Sequence, residues 1–256
     1  MGRILQIMKL EHQISNWLKD YINKNNLNAF VVGVSGGIDS AVTSTLCALT
    51  NIKTYTVIMP IHQNPKETFL GNQHCDWLKK KYNNIEKIEI DLTKSYKVLS
   101  NQVPADFHTN LSLANTRARI RMTTLYLIAG GINGLVVGTG NKIEDFGVGF
   151  FTKYGDGGVD ISPIADLMKS EVYTLAKSLK IIAPILNAQP TDGLWDDRRT
   201  DEDQLGVSYN NLEWAMSYNG KDKINNEQKN ILNTYKKFRS MNLHKMKEIP
   251  IFKNKK

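Results

Sequence analysis

Four short apolar runs, AFVVGV (29–34), TYTVIMP (54–60), IEKIEI (85–90) and GLVVGTG (134–140), are separated by stretches with helical periodicity. Strands that alternate with helices of about 10–15 residues need crossover connections, which make neighbouring strands parallel and cover both faces of the sheet. The Val-rich runs 29–34 and 134–140 suit strands buried on both sides. Leu10, Ile14, Trp17, Leu18, Tyr21 and Ile22 recur at helical spacing until Asn25 and Asn26, so the chain opens with an amphipathic helix. Further helices are expected over roughly 39–50, 66–81 and 110–129, and then over 169–180, 208–219 and 225–242. The expectation is an α/β fold of Rossmann-like type, a doubly wound, mostly parallel sheet with helices on both faces, forming one domain over residues 1–256. Two polar, Gly- and Asp-rich stretches, FFTKYGDGG and PTDGLWDDRRTDEDQ, predict mobile functional loops near 145–160 and 190–206.

A chain of 256 residues can bury a core without a disulfide or structural metal. Its two cysteines, Cys47 and Cys75, form no CxxC pair, which excludes a zinc ribbon and a disulfide scaffold and points to reduced thiols and a cytoplasmic location. Charges interrupt the N-terminal segment, so no signal peptide is expected. Gln6 stands where a myristoylation motif wants Ser or Thr. No run of about 18 apolar residues occurs, so no membrane partner is expected. The 33 Lys and Arg against 25 Asp and Glu, net +8, fit either an anionic ligand or an ordinary solvated surface. Aromatic and basic residues are not interleaved on any strand, which argues against a nucleic-acid partner.

Between the strand 29–34 and the next helix lies GVSGGIDS, comprising Gly33, Val34, Ser35, Gly36, Gly37, Ile38, Asp39 and Ser40. Glycines there let the backbone approach an anion, and the helix N-terminus directs free N–H groups at it. Ser35 and Ser40 add hydroxyl donors. The loop has neither the Lys of GxxxxGK[ST] nor the third Gly of GxGxxG, so it is neither a Walker A loop nor a dinucleotide fingerprint.

SGGIDS resembles the pyrophosphate loop of the N-type ATP pyrophosphatases, enzymes of the adenine nucleotide alpha hydrolase-like fold that split ATP between its α and β phosphates. Later segments narrow the resemblance. ANTRARIRM (114–122), GTGNKIE (138–144), GFFTKYGDGGVDISPIADLMKSEV (149–172), QPTDGLW (189–195), TDEDQLGVSY (200–209) and NLHK (242–245) are similar to the ammonia-dependent NAD synthetases in order and near-spacing, over residues 29–245. The resemblance implies a ligase that adenylates deamido-NAD with ATP and releases AMP as ammonia enters. It also implies Mg²⁺ and a homodimer, with the substrate bound across an interface that includes the helix of Arg119. No glutaminase domain fits the length, so free ammonia is the expected donor.

By family position, Asp39 and Glu144 would hold Mg²⁺; taken alone, Glu144 reads equally well as a first-turn acid favoured by the helix dipole. Lys169, Thr139 and Thr191 would contact ATP together with the loop 33–40. Arg119, Lys153, Asp160, His244 and Lys245 would contact deamido-NAD. Asp156, in YGDGG, is either a turn residue capping its own backbone or the acceptor of the ammonium proton, and it is named with Lys169 as catalytic. Two departures from the family stand out. Ile58 replaces an Arg before Met59-Pro60, so that Gln63 or Asn64 is left to compensate at the adenosine. The interval DFGVG between Glu144 and Phe150 is one residue longer than in some relatives. The competing readings are another ATP pyrophosphatase, such as a tRNA-thiolating or GMP-synthetase-type enzyme, and a basic nucleotide-binding module without catalysis.

Overall fold

All four runs are strands, and all pair in parallel: β1 (Ala29–Gly33), β2 (Thr54–Ile58), β3 (Ile85–Glu89) and β4 (Gly134–Val137). The computed structural model describes residues 2–62, 65–190 and 200–254, those at 2–9 and 65–67 by backbone alone. The spatial order is β3-β2-β1-β4. The chain therefore steps outward from β1 to β3 and returns to the far side of β1, which opens a crevice beyond the C-terminal ends of β1 and β4, where open α/β sheets bind ligands. Val32 is level with Val137 and Gly33 with Val57, so the loops after β1 and β4 leave the sheet side by side.

The strand period of two sends alternate residues to two cores. Phe30, Val32, Leu135 and Val137 meet Leu18 and Ile22 of α1 (Gly2–Lys24), Val42 and Leu46 of α2 (Ile38–Leu49), and Val172 and Leu175 of α6 (Lys169–Ser178). Val31, Val57 and Val136 face the other way, onto Ala129 of α5 (Asn110–Ile132). Each fully buried side chain of this kind contributes about 1.5–3 kcal/mol, so the two layers hold the sheet while Cys47 and Cys75 stay free thiols. β3 is the exposed edge, and its Glu86 and Lys87 carry ion pairs to Lys53 and to Asp76 of α3 (Pro65–Lys81), which blunt that edge.

The helix boundaries follow their caps. α5 starts at a reciprocal Thr109–Ser112 box and runs past 129 to Ile132, where Asn133 turns left-handed with φ 51°. α4 (Thr93–Gln102), which was not expected, buries none of its residues fully; Tyr96 packs against the core on the α5 side, while Val98 and Leu99 stay exposed. Lys142–Val148, the later part of which falls in the stretch near 145–160 expected as loop, winds as a π-helix capped by Asn141. A π-turn takes about one residue more than an α-turn. Beyond α6 come α7 (Ala183–Leu186), α8 (Asp201–Leu205), α9 (Tyr209–Ser217) and α10 (Asn226–Met246). α8 lies within a stretch expected to be irregular and starts at a Thr200–Asp203 capping box. α9 and α10 pack Tyr209, Leu212, Ile231 and Tyr235 on Ile143 and Val148 of the π-helix, forming a third core. No described helix is long and apolar enough to cross a membrane.

Candidate active site

Residues 33–40 form, without a gap, one wall of a cavity of about 430 Å³ in this crevice. Gly36 sits at φ 96°, a conformation that side chains rarely adopt. Ser35 Oγ accepts the Gly37 N–H at 3.2 Å, and Ser40 Oγ donates to the Gly37 carbonyl at 2.9 Å, so the loop braces itself. The cap residue of α2 is Gly37, and no side chain caps the helix. Its first-turn N–H groups and partial positive charge are thus available to an anion.

At the end of this loop Lys169 Nζ lies 2.6 Å from Asp39 Oδ2 and 2.9 Å from Glu144 Oε1. Asp39 comes from the first turn of α2, Glu144 from the π-helix and Lys169 from the start of α6. Asn141, fully buried, donates from Nδ2 to Asp39 Oδ1 at 3.2 Å while its Oδ1 accepts the N–H groups of Ile143 and Glu144. Tyr209 donates its hydroxyl to Glu144 Oε1 at 2.6 Å. Burial works against the Lys169 ammonium, but the charges of Asp39 and Glu144 outweigh it and raise its pKa. Burial and the neighbouring Glu144 lift the Asp39 pKa, opposed by Lys169. Glu144 is held below its ordinary value because Lys169 and the Tyr209 hydroxyl overcome its burial.

Two carboxylates either side of one cation suit Mg²⁺, which is bound through one or two acids while water and phosphate complete its shell. Here the arrangement already holds a cation, the ammonium of Lys169. Among the described residues no denser group of acids, histidines or cysteines exists.

The opposite wall is α5, through Ala118, Arg121, Met122 and Leu125, and the cavity reaches Thr139 and the YGDGG turn. Asp156 Oδ1 accepts the Thr152 N–H at 3.0 Å, so the turn-capping role is real. The residue nonetheless faces the open cavity. The surrounding protein raises its pKa by desolvation, opposed by the Thr152 N–H and by Lys245. Asp145 stands beside it against Gly140, where a Cβ would overlap its carboxylate. Burial and the charges of Glu144, Asp156 and Asp39 push the Asp145 pKa well up.

Four of the expected substrate residues come together beyond the cavity wall. Arg119 Nε donates to the Lys153 carbonyl at 3.2 Å, Lys153 Nζ to the His244 carbonyl at 3.4 Å and Lys245 Nζ to the Phe151 carbonyl at 2.7 Å. Asp160 lies apart from them. Its two oxygens accept the Tyr126 hydroxyl at 2.9 Å and the Val136 N–H at 2.7 Å, which ties α5 to β4. Thr191, Gln63 and Asn64 lie outside the described residues. Ile58 lines the cavity, and beside it Arg121 Nε reaches the Met59 carbonyl at 3.0 Å.

Sequence reasoning missed Asn141, Arg121, Asp145 and Tyr209. Asn141 carried a readable signal, an Asn directly before a segment with acids in its first turn. For Tyr209 no local pattern exists, because its partner is 65 residues away. The cysteines offer no nucleophile: burial pushes Cys47 far up and Cys75 to about 11, unlike the activated thiol that a thiolating enzyme needs.

The family model described as NAD synthase matches residues 10–255. The chain is 40% identical over 216 residues to an NH(3)-dependent NAD(+) synthetase of Alkaliphilus oremlandii, covering 79% of this chain and 82% of that one. Among solved structures it is similar to an NMN synthetase from Francisella tularensis, with TM-score 0.85, 31% identity and 97% and 98% of the two chains covered. It is also similar to an NH3-dependent NAD synthetase from Campylobacter jejuni, with TM-score 0.77, 26% identity and 96% and 99% covered.

Proposed function

The chain belongs to the NAD synthase family, and on that premise we propose that its cavity converts deamido-NAD to NAD with ATP and ammonia. The observation that carries this reading is a single cavity that joins an anion-binding loop, the Lys169–Asp39–Glu144 centre and Asp156. An oxygen of the nicotinate carboxylate attacks the α-phosphorus of ATP, and pyrophosphate leaves with the electron pair of the broken P–O bond. The nitrogen of ammonia then attacks the activated carbonyl carbon, and AMP departs with its oxygen.

The loop N–H groups, Ser35 and Ser40 hold the departing pyrophosphate. Asp39 and Glu144 would hold Mg²⁺, which would neutralise triphosphate charge. Lys169 then serves the phosphates. Ammonia at neutral pH is almost wholly ammonium and cannot attack, and Asp156 both attracts that cation and accepts its proton. Thr139 and Thr191 complete the ATP site in this reading, and Arg119, Lys153, Asp160, His244 and Lys245 the dinucleotide site.

The same reading makes the protein a cytoplasmic homodimer without nucleic-acid or membrane partners. Val98, Leu99, Val103, Phe107, Leu111 and Leu127 are all exposed on and around α4 and α5, and a second copy there would bury them and wall in the exposed Arg119.

The test is pyrophosphate release and NAD formation with ATP, deamido-NAD and ammonium, each omitted in turn. Release that does not depend on deamido-NAD removes the proposal. The likeness to a protein named NMN synthetase favours one variant reading, in which the nicotinate group is carried by a mononucleotide. The mononucleotide acid assayed beside deamido-NAD separates the two by kcat/KM.

A further inference from the structure

Tyr209 has no part in the roles above, yet it reaches the charged centre from the third core. It opens α9 directly after Ser208, whose side chain accepts the Asn211 N–H. Its ring is packed with Leu205, Leu212 and Tyr235 and is almost wholly buried. The Tyr209 N–H donates to Glu202 Oε1 at 2.7 Å, so backbone and ring are both held. From this fixed base the hydroxyl leaves the apolar cluster and meets Glu144 Oε1 at 2.6 Å and Asp201 Oδ2 at 3.2 Å. A phenol has one proton to give, and the shorter contact directs it to Glu144. Glu144 Oε1 also receives the Lys169 ammonium, which lies 4.8 Å from the centre of the Tyr209 ring.

An ammonium and a divalent cation repel one another and cannot both sit between the same two carboxylates. When a divalent cation binds, Lys169 has to leave Glu144. Glutamate turns freely about three bonds, so without a second donor its carboxylate would then rotate. The geometry points to Tyr209 as a positioning residue: its hydroxyl holds Glu144 Oε1 so that the acid stays turned into the cavity after Lys169 is displaced. A neutral donor suits this role, because it orients the carboxylate and leaves the negative charge for the cation. A ring locked by packing is also a stiffer strut than a second flexible chain. The inference rests on the reading of Asp39 and Glu144 as the cation site.

Tyr209→Phe removes one oxygen and keeps the ring. Mn²⁺ alone is the probe, titrated by the electron paramagnetic resonance signal of the free ion. Loss of a partner behind a metal ligand costs roughly 10-fold or more in affinity, and that weakening is expected for Tyr209→Phe. Tyr235→Phe, from the same core, is expected to bind Mn²⁺ as the unaltered protein does. In pyrophosphate release, the divalent-ion concentration for half-maximal rate should rise in parallel, with kcat at saturating metal within about twofold. Melting each protein with and without Mn²⁺ gives a metal-induced shift internal to that protein, so a lower baseline stability does not disturb the comparison.

Unchanged Mn²⁺ affinity in Tyr209→Phe overturns the assignment, as does a loss of kcat that saturating metal does not restore. Absence of Mn²⁺ binding by the unaltered protein removes the cation site and the role with it. The titration needs no acyl substrate, so a protein that binds Mn²⁺ but does not amidate deamido-NAD refutes the proposed reaction and leaves this inference standing.

Discussion

Lys169 and Asp39 are 130 residues apart in the chain and 2.6 Å apart in space. With Glu144 on its other side, the ammonium neutralises two largely buried acids. Lys169→Met keeps the bulk of the stem and leaves both acids uncompensated. Breaking a buried ion pair in this way costs about 3–5 kcal/mol, and Mg²⁺ should return more stability to this variant than to the unaltered protein. Urea denaturation with and without Mg²⁺ reads both effects. Unaltered stability of Lys169→Met in metal-free buffer would show that the acids are not neutralised by this lysine.

Asp39→Asn and Glu144→Gln keep shape and remove charge. Each is expected to slow adenylation on the order of 100-fold while shifting the melting temperature by only a few degrees. Pyrophosphate release in excess Mg²⁺ is the measurement. A near-normal rate in either variant takes that residue out of cation binding.

Asp156→Asn should separate the two half-reactions, because adenylation needs neither ammonium nor proton transfer. Pyrophosphate and AMP are expected in excess of NAD as the adenylate leaks to water, most clearly at low ammonium and lower pH. The ratio of pyrophosphate to NAD over an ammonium titration at two pH values tests this. Equal loss of both products would assign Asp156 to the Thr152 turn contact alone.

Leu127 is 77% exposed on the outer face of α5. If the α4–α5 surface is the homodimer contact, Leu127→Glu places two like charges in it and should yield a protein sedimenting at 29.0 kDa. A fully active monomer of the unaltered chain at working concentration would defeat the dimer reading.

His74 is fully buried, bonded to Ser44 Oγ at 3.0 Å and stacked on Trp77. Burial lowers its pKa to about 4 from the ordinary 6.5. The folded state keeps the ring neutral while the unfolded chain protonates it first. Its contribution to stability is therefore complete above about pH 6.5 and declines as the pH falls towards 4. A gap of that size is worth about 3 kcal/mol. His74→Gln keeps a polar group for Ser44 and should show less acid sensitivity across that interval. Parallel stability–pH curves for the two proteins would count against the assignment.

Much of the fold was legible in the chain because it is written in near neighbours. The four runs became four parallel strands, and Gly33–Ser40 became the cavity wall, since a period of two and a glycine turn at a helix start are local properties. α4 was not expected, and its packing is slight: Tyr96 meets the core while Val98 and Leu99 face outward. The π-helix was not legible, because a single widened turn over seven residues leaves no periodicity to tell it from a loop.

The candidate site divides in the same way. Asp39 and Glu144 could be picked out as acids following the ends of two strands. Their joint hold on Lys169 could not, because a Lys at a helix start carries no mark of which acids it will face. That was decided when Val172 and Leu175 of α6 packed beneath β1 and β4, which carries the first residue of the helix to the mouth of the crevice. Tyr209 reaches Glu144 for the same reason, since α9 packs on the π-helix through a core shared with α10. Type and local conformation are properties of a residue and its chain neighbours, whereas a contact 2.6 Å long between groups 130 residues apart exists only once the apolar layers have closed.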